Sequence, residues 1–565
     1  MQNNDIMKLY FSLHAGFLNF SKLQKTTGFC CFLVICFIFP HITHAQNANS
    51  ALDIKWSKNQ KAKAIYYENM EILKGDENKI YFFNSFKNGK PMGGIPSIYE
   101  TLGKYDSQSD SISYLTLKLK TENVNRTRLS VMLIDSTIHV VSYFNNKKQD
   151  AVYIFDETIN MKTFIFNDDI HKIAEIKYDR SLIKNSNNIF ITLKKNLYAG
   201  KNLLQLNYVY STKGGTMNGY ELLDNKFSPL ANFQSTITDN KDVTNYVFDK
   251  DYNLYTLERT YQNSLFTNFI KSSLSLTFHP KDGSSVIKQD VLLENKFITA
   301  QTLAVNDKNQ IICGGLFSNI GLTNALGAFT TIYPPKLQDA GSMHKVDFDY
   351  DFLSMGMNEK DAEVLKKNLE KNKDSDDSYS CSFRNMHFRK DGCFDFVVEK
   401  KLKEYVSDGY GKGGHHVFRY SDLYVLDFNA DGSSKWIRKI YRNEAFSESM
   451  FYTHFLGDCL MDNEANDEIN IIHNRFNMEN KEVYDESSLK NGKTYVTSFD
   501  SNGNMTEKAL TSDPDISKNL CPGMSYSCGN NTYCLAKMNY LSTSSFLKAF
   551  KSSIYSVNLG IVTIK

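Results

Sequence analysis

Residues 422–440 read DLYVLDFNADGSSKWIRKI. Asp422 to Phe428 alternate polar and apolar side chains, and most are residues that suit a pleated, half-buried surface. Asn429, Ala430, Asp431 and Gly432 follow, and Asp-Gly tolerates the positive φ that tight turns demand. A second apolar-polar alternation then starts at Lys435-Trp436. The stretch predicts one β-hairpin. The same grammar recurs at Phe248–Asn253, Phe278–Gly283, Val305–Asn309, Phe388–Gly392 and Phe499–Gly503. Each is a strand end, a short polar turn and a new strand. Phe428 and Phe499 are 71 positions apart, which fits one four-stranded unit with long loops or two hairpins.

Strand-like alternation extends well beyond these turns. It appears in Arg128–Leu133, Thr137–Tyr143, Leu206–Ser211 and Thr494–Phe499. Roughly 25 to 30 such runs cover the chain. An open sheet of that size leaves unpaired edges and curls, whereas radial repetition removes the problem. The expected architecture is therefore all-β, a β-propeller of six or seven blades. Tandem β-sandwiches are the alternative, since turn spacing alone also suits them. The chain ends in strand-like sequence at 554–557 and 561–564, which is expected to lock the ring on an early strand near Lys79–Phe83. One segment departs from the pattern. Residues 358–372 place Ala362, Leu365 and Leu369 on one helical face, with Asn358 as cap. They predict a short helix within an insertion at 340–380, read as a solvated surface helix or a lid beside a binding face.

Composition agrees with a large closed β structure. Of 565 residues, 41% are hydrophobic and 13% aromatic, with 39 Phe, 33 Tyr, 2 Trp and only 9 Pro. The 65 basic and 63 acidic residues give a net charge of +2. No bulk excess of cations is available to neutralise a nucleic-acid backbone, so nucleic acid is not an expected partner.

The N-terminus carries Lys22 and Lys25, an apolar run from Phe29 to Pro40, and Thr43-His44-Ala45. This is the grammar of a secretory signal peptide, with cleavage expected after Ala45. The run is shorter than the roughly 20 residues that span a bilayer. Residues 46–75 are then read as an N-terminal strand or linker, and 76–565 as the propeller. The mature chain loses three Lys and one Asp, leaving 62 bases and 62 acids and a net charge of zero. No other segment is apolar enough to span a membrane. The expected location is the periplasm, the cell surface or the medium. Seven cysteines follow Ala45, namely Cys313, Cys381, Cys393, Cys459, Cys521, Cys528 and Cys534. An exported location permits a local disulfide within 521–534, and the alternative is that these cysteines are small buried hydrophobes. Their spacing is not that of a zinc site.

Motifs for chemistry are scarce. There is no His-Glu-x-x-His, no phosphate-binding Walker loop and no Gly-x-Ser-x-Gly. The Gly-rich string 409–416 (GYGKGGHH) runs into strand rather than helix, so it is not read as a phosphate cradle. It suggests a hairpin tip, or a ligand-facing loop exposing Tyr410, His415 and His416. Adjacent histidines on a strand point to opposite faces and chelate poorly. Asp347, Asp349 and Asp351 alternate with aromatics, and a strand would bring their carboxylates to one face. That makes them candidates for a Ca²⁺ site; otherwise they belong to a solvated edge strand, and no cofactor is expected.

Residues 422–440, with a long polar loop before them, resemble a passage in uncharacterised exported β-propeller-like proteins of Bacteroidota. In that group a Val-Leu-Asp strand leads through Asp/Asn-Gly to Trp and a basic residue, and the polar helix at 358–372 has a counterpart. The resemblance spans about 240–510. It implies a propeller and no activity or site residue. Within it, the step from Gly432 to Trp436 resembles the docking turn of quinoprotein-type propellers, which implies that Trp436 packs between blades. The expected function is a binding or scaffolding module for protein or glycan. The alternatives are a carbohydrate-active or other hydrolytic propeller, and a structural component of a cell-surface assembly.

Overall fold

The structure is a computed structural model. It describes residues 55–563 apart from 58–59, 62–65, 76–77, 89–96, 122–123, 184–188, 199–200, 239, 263–270, 294–295, 319–324, 372–379, 385, 408–413, 443, 448–459, 463–467, 476–492, 511–519, 530–531 and 541–554. The signal peptide, Cys459 and Tyr410 lie outside the described residues.

Among the described residues, eight antiparallel sheets, not six or seven, of four to six strands each follow one another along the chain, with a two-stranded ribbon (Lys120–Thr121 against Val124–Asn125) between the first and second. They occupy 66–116, 127–177, 190–237, 241–291, 297–347, 380–447, 460–509 and 526–563. Within each sheet the strands lie side by side in sequence order. First strands of most neighbouring sheets touch, including Tyr526–Gly529 against Tyr66–Gly75, so the array closes on itself. That arrangement is a β-propeller and excludes the tandem sandwiches. The undercount has a local cause. The turn that opens the second blade's sheet places Asp135 and Ser136 at φ 43° and 68°. Asp-Ser lacks the glycine that marks turns further on, so the early blades are hard to see in sequence.

The ring is sealed by the N-terminus. Tyr555–Thr563 pairs with Lys55–Trp56 and with Gln60–Lys61, not with Lys79–Phe83. Lys79–Asn88 is instead the second strand of the first blade. Asn558 donates to the Ser57 carbonyl at 2.6 Å and the Leu559 amide donates to Ser57 Oγ at 3.0 Å, both buried. The last sheet thus takes its outermost strands from some 500 residues away, which gives the ring no free first or last blade.

The six repeated turns all fold alike. Their fourth position has positive φ, at Tyr252, Gly283, Asn309, Gly392, Gly432 and Gly503. Its amide donates three residues back in each case, as Gly432 does to Asn429 at 2.9 Å. Each turn joins the first and second strands of a blade, or the third and fourth. Phe428 and Phe499 close third strands of successive blades, so the interval of 71 is one blade. Trp436 sits at that junction. Its ring stacks on Phe499 with centroids 5.7 Å apart, and its Nε1 donates to the Ser501 carbonyl at 3.2 Å. A Cβ on Gly503 would come within 2.6 Å of the indole, so this turn needs glycine for space as well as for φ.

Between the fifth and sixth blades lie the helices Tyr350–Ser354 and Glu359–Glu370. The Asn358 side chain caps the second by accepting from the Asp361 amide at 2.9 Å. Leu365 and Leu369 rest against the cluster that contains Phe348 and Leu353. The acidic string before it is not a continuous strand. Strand ends at Asp347, Asp349 caps the first helix by accepting from the Phe352 amide at 2.7 Å, and Asp351 lies in its first turn. An aspartate that satisfies a helix N-terminus competes directly with strand continuation. The three carboxylates therefore do not share a strand face, and the geometry assumed for a Ca²⁺ site is lost.

Candidate functional site

Antiparallel four-stranded blades have two unlike ends. One end carries the first-to-second and third-to-fourth turns, which include all six repeated ones. The other end carries the second-to-third connections. These range from Lys213–Gly214 to the span 476–492. Function on a regular scaffold concentrates where the connections vary.

Among the described strands, the two longest belong to the sixth blade and run toward that variable end. Its second and third strands are Phe394–Ser407 and Gly414–Phe428, of 14 and 15 residues. The fourth-strand place is divided. Ser434–Ile440 pairs with residues 423–428, and Glu444–Ser447 pairs with 417–420. A register shift between Glu399 and Lys401 marks where the blade proper ends and the extension begins. The strand is buried throughout from Phe394 to Glu399 and only partly buried or exposed beyond, where Glu399-Lys400-Lys401 interrupt the alternation.

On the extension three successive cross-strand pairs share one face: Lys401 with Tyr420, Lys403 with Phe418, and Tyr405 with His416. The Lys401 ammonium lies 5.4 Å from the Tyr420 ring centroid, and the Lys403 ammonium lies 5.4 Å from that of Phe418. Tyr405 meets the His416 imidazole edge-on at 5.2 Å. Cation–π and aromatic cross-strand pairs of this kind hold rings in fixed orientation. Tyr405, at the outer end, is 60% exposed. The result is a row of rings and ammonium groups along an extended hairpin. Of the residues expected in a ligand-facing loop, His416 belongs to this row. His415 lies in the same strand opposite Val406, and its side chain is not among the described ones. The partners Tyr405 and Phe418 were missed, although the charged run Glu399-Lys400-Lys401 marks where the strand leaves the buried blade.

The root of the extension is a buried ionic cluster. Glu399 is fully buried and accepts from Arg384, while Arg442 and Lys401 approach it at 3.4 Å. Arg442 is itself buried and donates to the Ser421 carbonyl at 3.3 Å. Glu444, one residue beyond the chain's return, is 1% exposed, and neither carboxyl oxygen has a hydrogen-bond partner among the described residues. Burial pushes its pKa up to about 8, against the attraction of Arg442 and Arg475. From the seventh blade His473 reaches the same region. Its Nε2 meets Thr497 Oγ1 at 3.0 Å. Burial, reinforced by repulsion from Arg442 and Arg475, pushes it down to about 3. At neutral pH the cluster thus holds a protonated acid and a neutral imidazole.

His473 carries a direct test. Its folded value lies below the ordinary 6.5, so the unfolded chain takes up a proton that the folded chain refuses. His473→Gln is expected to leave stability at pH 7 within about 1 kcal/mol. The wild type should then lose stability relative to the variant as pH falls from 6.5 toward 3. Urea midpoints across that range measure it, and parallel curves would refute the assignment.

A second cluster lies at the other end of the same sheet. Arg389 donates to Asp427 at 2.6 Å and to Asp395 at 3.3 Å, and His387 Nδ1 lies 3.3 Å from Asp395. The two aspartates are direct cross-strand partners and fully buried. Burial lifts Asp427 to about 6, opposed by Arg389 and aided by Asp395. An acid pair of this kind is what hydrolysis would require, yet here one guanidinium spans both carboxyls inside the sheet. Among the described residues, no group of three or more His, Cys, Asp or Glu is arranged to hold a metal ion, and no helix is long and apolar enough to cross a membrane.

No family model matches the chain, and no curated protein matches it. Solved structures share it only distantly. The β-propeller domain of the Trilobed protease from Pyrococcus furiosus aligns at 10% identity and TM-score 0.31, over 81% of this chain and 100% of that one. An acylaminoacyl peptidase from Pyrococcus horikoshii aligns at 9% identity and TM-score 0.33, over 87% of this chain and 60% of that one. The WD40 domain of SCAP from fission yeast aligns at 7% identity and TM-score 0.33, over 90% and 98%. The propeller assignment rests on the strand pairing of the chain itself.

Proposed function

We propose that this chain is an exported propeller that binds a protein or glycan at the cell surface through the extension of its sixth blade. The observation that carries the reading is the row Lys401–Tyr420, Lys403–Phe418 and Tyr405–His416, anchored at its root and exposed at its tip. Rings fixed in orientation offer large contact area at little entropic cost, and aromatic anchors dominate binding energy at interfaces. The charged groups beside them supply orientation and salt-sensitive attraction. Hydrolysis is less favoured, because the acids that geometry brings together are buried in sheet and tied by Arg389 and Arg442.

The test is binding of the mature chain to a glycan array and to intact surface proteins fixed on a chip. A hit that weakens about 10-fold or more in Tyr405→Ala supports the surface. Because Tyr405 is mostly exposed, the same variant should shift stability by about 0.5 kcal/mol or less. Binding that Tyr405→Ala and Lys403→Ala leave untouched places the site elsewhere. Turnover of a glycan or peptide on the array, without lasting binding, would favour the enzyme.

A further inference from the structure

We propose that Cys528 and Cys534 form a disulfide that staples the inner hairpin of the last blade where it meets the first. The two residues lie on adjacent antiparallel strands, Tyr526–Gly529 and Thr532–Tyr540. Cys534 pairs in register with Tyr526, and Cys528 is the residue skipped at the register shift between Ser527 and Gly529. Their Sγ atoms are 3.1 Å apart. Both face the first blade: a Cβ built on Gly75 would lie 1.8 Å from the Cys534 sulfur and 3.0 Å from that of Cys528. Gly75 ends the first strand of the first blade, so the pair sits at the seam of the ring. This seam is separate from the N-terminal strands that pair on the far side of the same sheet.

A shared metal fits less well. Thiolates on one tetrahedral zinc, at about 2.3 Å each, stand about 3.8 Å apart. Here the sulfurs are closer, and a disulfide needs only about 1 Å of further approach. The third cysteine of the segment, Cys521, is buried at the opening of the turn Pro522–Met524.

The chemistry is thiol–disulfide exchange with a disulfide donor, either a protein dithiol oxidase of the exporting compartment or oxidised glutathione. One cysteine thiolate attacks a donor sulfur and releases a donor thiolate, leaving a mixed disulfide. The second cysteine thiolate then attacks the protein sulfur of that bond and expels the other donor thiolate. The two cysteines are oxidised, the donor disulfide is reduced to two thiols, and the two cysteine protons end on the donor. Cys534 is buried in the closed ring, so the exchange belongs to a stage before the seam closes.

The experiment uses the full mature chain, denatured and reduced, then refolded with oxidised glutathione. Alkylation in denaturant without reductant precedes proteolysis and mass mapping. The expected product is a linked peptide pair joining Cys528 to Cys534, about 2 Da lighter than the two thiol peptides and released by dithiothreitol. Because the bond lies in a buried seam, native protein should resist dithiothreitol at least about 10-fold longer than denatured protein. Alkylation of both cysteines in refolded, circular-dichroism-native protein overturns the proposal, as does a bond from Cys521 to either one. The refolding arm is independent of export. Chain recovered from an export route with both thiols alkylated, although glutathione links them in vitro, would instead count against the exported reading.

Discussion

Glu444→Gln is expected to stabilise the protein at pH 8 by several kcal/mol and to change it little at pH 4. The carboxyl is buried, and its folded value is near 8 where an unfolded glutamate sits at 4.5. Below 4.5 both states are protonated, and burial costs no charge. Between 4.5 and 8 the folded chain keeps a proton that the unfolded chain has released, so stability falls as pH rises. Each pH unit removes about 1.4 kcal/mol, and the interval sums to about 5 kcal/mol. Above 8 the penalty is complete. Glutamine has the same shape and no proton to lose, so it removes the slope without opening a cavity. Urea unfolding of both proteins between pH 4 and 9 measures it. A constant difference across that range would falsify the assignment.

His473 slopes the other way, losing stability as pH falls from 6.5. From 4.5 to 6.5 the two slopes oppose, so these residues give a plateau with a fall on each side. The folded cluster keeps a protonated acid and a neutral imidazole between about pH 3 and about pH 8, and its contribution to stability is greatest between 4.5 and 6.5.

What could be read from sequence depended on where local chemistry decided the structure. The repeated turns were legible because positive φ at the fourth position selects Gly or Asn, as in five of the six, Tyr252 being the exception, and all six fold as one type. The helix Glu359–Glu370 was legible because an Asn cap and an apolar stripe act within a dozen residues. Blade number was not, because Asp135-Ser136 makes a different, two-residue turn with both residues at positive φ and no glycine. Ring closure was legible in kind but not in place, since a strand of two or three residues such as Lys55–Trp56 carries too little pattern to find. The acidic cluster was misread because capping by Asp349 and strand alternation share the same residues. The candidate site was legible only at His416. Its neighbours, and the ionic root that unites Glu399, Arg442, Glu444 and His473, depend on pairing between strands far apart in the chain.

Arg442→Met is expected to cost about 3–5 kcal/mol, the usual price of leaving a buried charge without its partner. Arg442 is among the largest fully buried side chains, and its guanidinium faces Glu399, which is also fully buried. Arg384 and Lys401 remain near that carboxylate but are partly exposed, so they compensate only in part. Adding Glu399→Gln removes the stranded charge, and the double variant should recover about half of the loss or more. A second signature separates electrostatics from lost volume. Arg442 lowers both Glu444 and His473. Its removal should therefore raise both, shrinking the acid fall and carrying the alkaline fall to higher pH. Methionine fills much of the space the arginine stem occupied, so a cavity alone would subtract the same amount at every pH. Stability curves for wild type, Arg442→Met and the double variant between pH 3 and 9 decide the matter. Parallel curves would show that Arg442 acts by packing and that the root of the extension is not an electrostatic unit.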